Sequence, residues 1–143
     1  MSEAFDGVDE FCNDYSRDPG SSPDTAEDWV FMMKSEDWSA IRVAWSERPP
    51  RWREGCAYIL GLGPAPEALP FLITALNDDD LGVATEGAIG YSAMVLESGL
   101  LPTVTHETKT RLEQIVALKG ARYLNEVLEL LEAYKRQAGV ADV

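Results

Sequence analysis

Apolar residues recur at intervals of three and four along most of the chain, and this periodicity constrains the fold more than any other feature. The N-terminal segment shows it clearly in Phe5, Val8, Phe11, Cys12 and Tyr15. Because an α-helix turns once in about 3.6 residues, this spacing places the apolar side chains on one helix face. No strand-like alternation competes with it. The sequence therefore predicts an all-α protein.

Prolines, glycines and capping residues divide this pattern into about seven helices. Ser35 is a predicted N-cap, Pro50 begins a further helix and Gly61 ends it. Farther along, Asp79 or Asp80 is predicted to cap another helix. A chain of 143 residues with 45% hydrophobic content suits a single domain with its own core.

The charge of the chain is strongly negative and unevenly distributed. The net charge is -13, from 25 acidic and 12 basic residues, and residues 1–37 alone hold 11 acidic and 2 basic residues. Such a field repels nucleic acid and attracts basic partners. We therefore expect a protein partner and no nucleic-acid ligand. The simpler alternative, that the acidity only maintains solubility, stays open at this point.

The location of the protein is predicted from its cysteines and its N-terminal residues. Cys12 and Cys56 are far apart in sequence and form no CxxC motif, which favours a reducing compartment over a disulfide framework. The acidic first 20 residues do not resemble a secretory signal, and no stretch has the roughly 20 apolar residues that a membrane helix needs. The sequence predicts a cytoplasmic protein that does not bind membranes.

Weak internal repetition favours a stack of helix pairs over a helical bundle. An offset of 32 residues aligns Glu54-Gly55-Cys56 with Glu86-Gly87-Ala88, and an offset of 31 aligns Trp52 with Val83. Repetition at this period is typical of helical repeat proteins.

Two segments resemble a HEAT-like repeat. WREGCAYILG at 52–61 has an apolar residue and an arginine before small residues and a Leu-Gly ending, and PEALPFLITALNDDDLGV at 66–83 has an Ala-Leu-Pro-x-Leu run and an acidic turn. The resemblance covers 36–97 and implies a short right-handed α-solenoid. Residues 1–35 form divergent acidic helices without a match, and 104–138 resemble a repeat only as a helix pair.

The resemblance also implies roles for particular residues. Arg53 holds the position of the structural arginine of the repeat and is expected to pair with the acidic turn at 78–80. Ala84 stands where the second repeat should have its arginine, so we expect that repeat to lack the corresponding internal tie.

Signatures of catalysis and of metal binding are weak. His106 is the only histidine, GLGPAP lacks the Lys-Ser/Thr of a phosphate-binding loop, and the run at 78–80 lacks the spacing of an EF-hand. The sequence predicts a protein that is not an enzyme and holds no cofactor or metal.

Acidic clusters near helix starts are the main candidates for partner binding, because the positive end of a helix holds carboxylates there while they face outward. The candidates are Asp24, Glu27, Asp28, Glu36, Asp37, Asp78, Asp79 and Asp80.

Trp38 and Trp45 share a helix face, and Arg51 follows them closely. These residue types dominate the binding energy of many interfaces, so they are further partner-binding candidates. The alternatives are that the tryptophans belong to the core and that Arg48 and Arg51 offset acidic groups of the protein itself.

By size, acidity and fold, the chain resembles the small immunity proteins with which bacteria neutralise their own toxins. This resemblance implies a non-catalytic protein that binds a basic toxin domain, for example a nuclease. The alternative is a HEAT-like adaptor or regulatory scaffold.

Overall fold

The protein is all-helical in the computed structural model, which describes residues 3–20 and 22–141, with side chains described as far as residue 138. The helices are α1 (Glu3–Arg17), α2 (Asp24–Met32), α3 (Ser35–Glu47), α4 (Pro50–Leu60), α5 (Ala65–Leu76), α6 (Leu81–Glu97), a 3-10 helix (Leu101–Thr103), α7 (His106–Lys119) and α8 (Asn125–Ala141). No strand occurs in the described residues, which confirms the all-α prediction, although the α-helices number eight instead of about seven.

Helix α1 buries the whole apolar face that its sequence spacing predicts: Phe5, Val8, Phe11, Cys12 and Tyr15. This face packs on α4. The two helices approach closely at Gly55, where an added Cβ would lie 2.8 Å from the Cβ of Tyr15. Cys12 and Cys56 also meet in this interface as buried free thiols, and burial, followed by the neighbouring Cys56, raises the pKa of Cys12. Their separation in sequence gave no hint of this contact.

The helices pack around one core. Helix α4 lies between α1 and α6, α6 also contacts α8, and both α5 and α7 pack on α6. A single cluster of buried apolar side chains extends from Phe5 in α1 to Leu130 in α8. The solenoid arrangement stays a prediction. None of the helices described is long and apolar enough to cross a membrane.

The predicted tie between Arg53 and the acidic turn is present. The guanidinium of Arg53 donates to both carboxylate oxygens of Asp78, at 3.0 and 3.3 Å, and to the backbone carbonyl of Arg48 at 2.6 Å. Arg53 and Asp78 are both largely buried. One side chain of α4 therefore joins the end of α3 to the turn between α5 and α6.

A second arginine continues this network from an unexpected place. Ala84 is buried and leaves the position without a guanidinium, as the sequence indicated. Arg111 of α7 instead donates to the backbone carbonyls of Leu76 and Asp78, at 2.7 and 2.9 Å. The α5–α6 turn is thus held from both sides, by Arg53 of α4 and by Arg111 of α7.

The start of α3 differs from the sequence prediction. Lys34, and not Ser35, occupies the N-cap position, and the carboxylate of Asp37 accepts the Lys34 backbone N–H at 2.8 Å. The prediction for α6 is confirmed for Asp80, whose carboxylate accepts the backbone N–H of Val83 at 3.1 Å. Each of these carboxylates satisfies an amide that a helix start leaves without an intrahelical partner.

Candidate functional site

The acidic candidates of α2 and α3 divide by exposure. Asp24, Asp28 and Glu36 are exposed, and Glu27 is half-buried. Asp37 is only 3% exposed because it caps α3. Its expected role as an outward-facing carboxylate is therefore corrected: Asp37 stabilises the helix start.

Helix α2 presents an outer face, here called the α2 outer face, that consists of Asp24, Asp28, Phe31 and Met32. The two carboxylates make no ion pair within the described residues, and Phe31 and Met32 are 58% and 61% exposed. The opposite side of the helix buries Val30. Two free acids therefore lie beside two large apolar side chains, a combination suited to binding a basic protein.

The acidic turn at 78–80 is mostly occupied by internal contacts. Asp78 binds Arg53 and also accepts the backbone N–H of Asp80 at 2.9 Å, while the carboxylate of Asp80 caps α6. Asp79 alone of the three is exposed. The prediction that all three face a partner is corrected for Asp78 and Asp80, because their carboxylates hold the turn together.

The tryptophan candidates belong to the core. Trp38 and Trp45 are 7% and 9% exposed, and the Trp38 ring packs on Phe71 of α5 at 5.7 Å between centroids. This placement corrects the interpretation of the two rings as partner-facing anchors. The core interpretation, which the sequence left open, is the one that their burial supports.

The arginines that follow α3 have internal partners. Arg48 pairs with Asp9 of α1 at 3.4 Å and lies over the ring of Trp52. Arg48 thus offsets the acidic N-terminal segment, as one sequence alternative expects. Arg51 pairs within its own helix, where it donates to Glu54 at 3.0 Å.

The contact between Arg51 and Glu54 opens on a cavity of about 530 Å³. Helix α4, the first half of α6 and the turn between α7 and α8 enclose this cavity, here called the charged cavity. Its charged lining residues are Arg51, Glu54, Asp80, Glu86, Lys119 and Arg122.

Glu54 forms the inner part of the charged cavity and is fully satisfied. Its carboxylate accepts the Tyr15 hydroxyl at 2.7 Å and Arg51 at 3.0 Å. A Cβ on residue 82 would collide with Glu54 Oε1, so glycine at this position leaves room for the carboxylate. Burial, followed by the hydrogen bond to Glu54, raises the pKa of Tyr15, which keeps the hydroxyl a donor at neutral pH.

Glu86 of α6 is the unusual group of the charged cavity. Its carboxylate forms no hydrogen bond or ion pair with the rest of the described chain. Burial, followed by the negative charge of Glu54, raises its pKa from 4.5 to about 7, although Lys119 acts in the opposite direction. A carboxyl group with this pKa binds and releases a proton near neutral pH, and it can bind a cation when ionised.

The rim of the charged cavity carries two cations and a strained residue. Neither Lys119 nor Arg122 has an ion-pair partner among the described residues. Arg122 lies over the exposed ring of Tyr123, 4.8 Å from its centroid. Tyr123 has φ of 70°, a left-handed conformation that costs free energy in a residue other than glycine.

Comparisons with protein-family models, curated proteins and solved structures found no match to this chain. No group of three or more His, Cys, Asp or Glu side chains suited to a metal ion occurs in the part of the chain that the structure describes.

The sequence contained one signal for the charged cavity. The offset of 32 residues aligns Glu54 with Glu86, and because α4 packs on α6, these equivalent positions become neighbours. Neither residue is among the binding candidates that the sequence predicts. Lys119 and Arg122 had no comparable signal, because Lys119 ends α7 and Arg122 lies in the turn that follows, outside the segments that the offset aligns.

Proposed function

We propose that the protein is a non-catalytic, HEAT-like binding module whose acidic surface binds a basic protein. In its most specific form, the proposal is that it acts in the cytoplasm of a bacterium as an immunity protein and neutralises a toxin domain, for example a basic nuclease. The net charge of -13 and its concentration in residues 1–37 support a basic partner.

The observation that carries this proposal is the α2 outer face. Asp24 and Asp28 are exposed and have no ion-pair partner among the residues that the structure describes, so they attract cations without first losing such a contact. Phe31 and Met32 add apolar surface, and complete burial of one such side chain contributes about 1.5–3 kcal/mol. The acids would speed association, and the apolar pair would slow dissociation.

The test begins with co-purification of the partner from the native host, followed by surface plasmon resonance over a salt series. We expect the association rate to fall as salt rises, because salt screens attraction between exposed charges. The double variant Asp24→Lys/Asp28→Lys should associate more slowly still. Glu107→Lys/Glu129→Lys is the matched control, because both residues are exposed and the change in net charge is the same. Equal association rates for the two double variants would refute the acidic mechanism.

A second assay separates an immunity protein from an adaptor. Expression of the captured partner alone should stop the growth of a bacterial host, and co-expression of this chain should restore growth. The Asp24→Lys/Asp28→Lys variant should protect less well than the control variant. A partner that is harmless when expressed alone would favour the adaptor or regulatory scaffold.

A further inference from the structure

We propose that the charged cavity binds a small zwitterion, with the ammonium group of the ligand on Glu86 and its carboxylate on Lys119 and Arg122. This site goes beyond the proposed function, because it lies outside the α2 outer face and needs no protein partner. The ligand class is a molecule with one ammonium and one carboxylate group, such as an amino acid.

The first argument is the number of charges without partners around one cavity. Glu54 already holds Tyr15 and Arg51, whereas Glu86, Lys119 and Arg122 have no ion pair within the described chain. Glu86 is half-buried, and a charged group that is removed from water is normally paired, whereas the exposed Lys119 and Arg122 are in water and are available to bind an anion. A ligand that carries both signs of charge would satisfy all three of these groups at once.

The second argument is the position of the two signs of charge. Glu86 is half-buried beside the buried Glu54, whereas Lys119 and Arg122 are exposed at the rim. A lone cation would be repelled by the positive charges at the rim. A lone anion inside the cavity would be repelled by the carboxylates of Glu54 and Glu86. A zwitterion with its ammonium group inward meets the opposite charge at both depths.

The third argument is the room inside the cavity and the backbone conformation at its rim. Gly82 leaves room for the Glu54 carboxylate, and Tyr123 holds a left-handed backbone at the rim. Strained backbone of this kind concentrates at ligand sites. The volume of about 530 Å³ is within the usual range for small-molecule sites and exceeds what an amino acid needs.

The proposed ligand couples binding to pH, because only ionised Glu86 attracts the ammonium group. The negative charge of Glu54 on α4 opposes its ionisation, and the positive charge of Lys119 at the end of α7 favours it. The other charged side chains that line the cavity are Asp80 at the start of α6, Arg51 on α4 and Arg122 in the turn after α7. The neutral Tyr15 hydroxyl lies behind Glu54.

The size of this pH effect follows from the pKa of Glu86, which is about 7. The ionised fraction rises from about a tenth at pH 6 to about nine tenths at pH 8, so the apparent affinity should rise about ninefold. A primary amine stays protonated over this range and adds no pH dependence of its own.

The experiment is an NMR titration of the labelled protein with zwitterions of increasing charge separation: glycine and the ω-amino acids from aminobutyrate to aminohexanoate. Butylamine and butyrate carry only one of the two charges. We expect at least one zwitterion to bind about tenfold more tightly than either, with shifts at the amides of Gly82, Thr85 and Glu86.

Variants show whether the intended groups hold the ligand. Glu86→Gln and Lys119→Met should each weaken binding at least about tenfold, and Glu86→Gln should remove the pH dependence. Glu97→Gln and Lys135→Met are the matched controls, because both residues are exposed and lie outside the charged cavity.

Several outcomes would overturn the proposal. Butylamine binding as tightly as the best zwitterion would indicate a simple cation site, and butyrate doing so would indicate an anion site. The absence of saturable shifts up to about 50 mM of every zwitterion would exclude binding of useful strength. None of these outcomes bears on the acidic surface of α2, so the two proposals fail separately.

Discussion

Arg53 and Glu54 are neighbours on α4, but they belong to two very different charged regions. Arg53 uses its guanidinium on Asp78 and on the carbonyl of Arg48. Glu54 faces the charged cavity, where Glu86 and Lys119 have no ion-pair partner within the described chain. The charged groups on the Arg53 side of α4 are paired with one another. The groups on the Glu54 side include charges without an ion-pair partner in the described chain, and these are available to a ligand.

The paired region is expected to support stability, and the region with unpaired charges is suited to binding. In a desolvated charge network, loss of one partner is costly because it leaves the other charge unpaired. A carboxylate held near another carboxylate without a partner destabilises the fold, and such groups concentrate at functional sites. Substitutions in the two regions should therefore change stability in opposite directions.

Glu86→Gln should give the largest effect. The pKa of Glu86 is about 7 in the folded protein against an ordinary 4.5, so the folded state binds more protons between these values. The free energy of unfolding of the wild type therefore falls as pH rises through this range. Because glutamine cannot ionise, the variant should match the wild type near pH 4.5 and be more stable by as much as about 3 kcal/mol near pH 8.

Urea denaturation at a series of pH values measures this difference. Glu97→Gln is the control, because Glu97 is an exposed carboxylate on the same helix, and its curve should stay parallel to that of the wild type. A Glu86→Gln variant that is less stable than the wild type at pH 8 would break the comparison, because Glu86 would then have a stabilising partner.

Arg53→Ala should give the next largest effect, with the opposite sign. Its removal leaves Asp78 without its guanidinium partner, for which we expect a loss of about 1–3 kcal/mol. Arg42→Ala is the comparison, because Arg42 is exposed and lies over the Phe71 ring at 5.5 Å, a contact worth less than about 1 kcal/mol. Equal denaturation midpoints for the two variants would count against a structural role of Arg53.

The sequence predicted the features that depend on local spacing. The apolar face of α1, the cap by Asp80 and the pairing of Arg53 with the acidic turn are all present. Helical periodicity and capping act over a few residues, and the position of Arg53 followed from its resemblance to a repeat. Asp37 was misjudged because a carboxylate near a helix start is equally suited to capping and to exposure.

The candidate site depended on contacts between distant parts of the chain. Glu54 and Glu86 become neighbours only when α4 packs on α6, and Lys119 joins them from the end of α7. The pKa of Glu86 results mainly from burial, which helical periodicity does not reveal for a polar residue. The contact of Arg111 with the α5–α6 turn also joins distant parts of the chain, so the sequence did not reveal it.

The acidic turn at 78–80 gives the prediction with the smallest expected effect, because it compares a paired and an exposed carboxylate at neighbouring positions. Asp80→Ala removes the cap of α6 and should cost about 1 kcal/mol, whereas Asp79→Ala should change the free energy of unfolding by less than about 0.5 kcal/mol because its side chain is exposed. The two variants remove the same charge, so general electrostatic effects cancel between them. Urea denaturation at pH 7 should therefore separate a carboxylate that holds the fold from one that is free to meet a partner. If both variants lost equal stability, the turn would act as one unit, and Asp79 would have to be counted with Asp78 and Asp80 as part of the internal network.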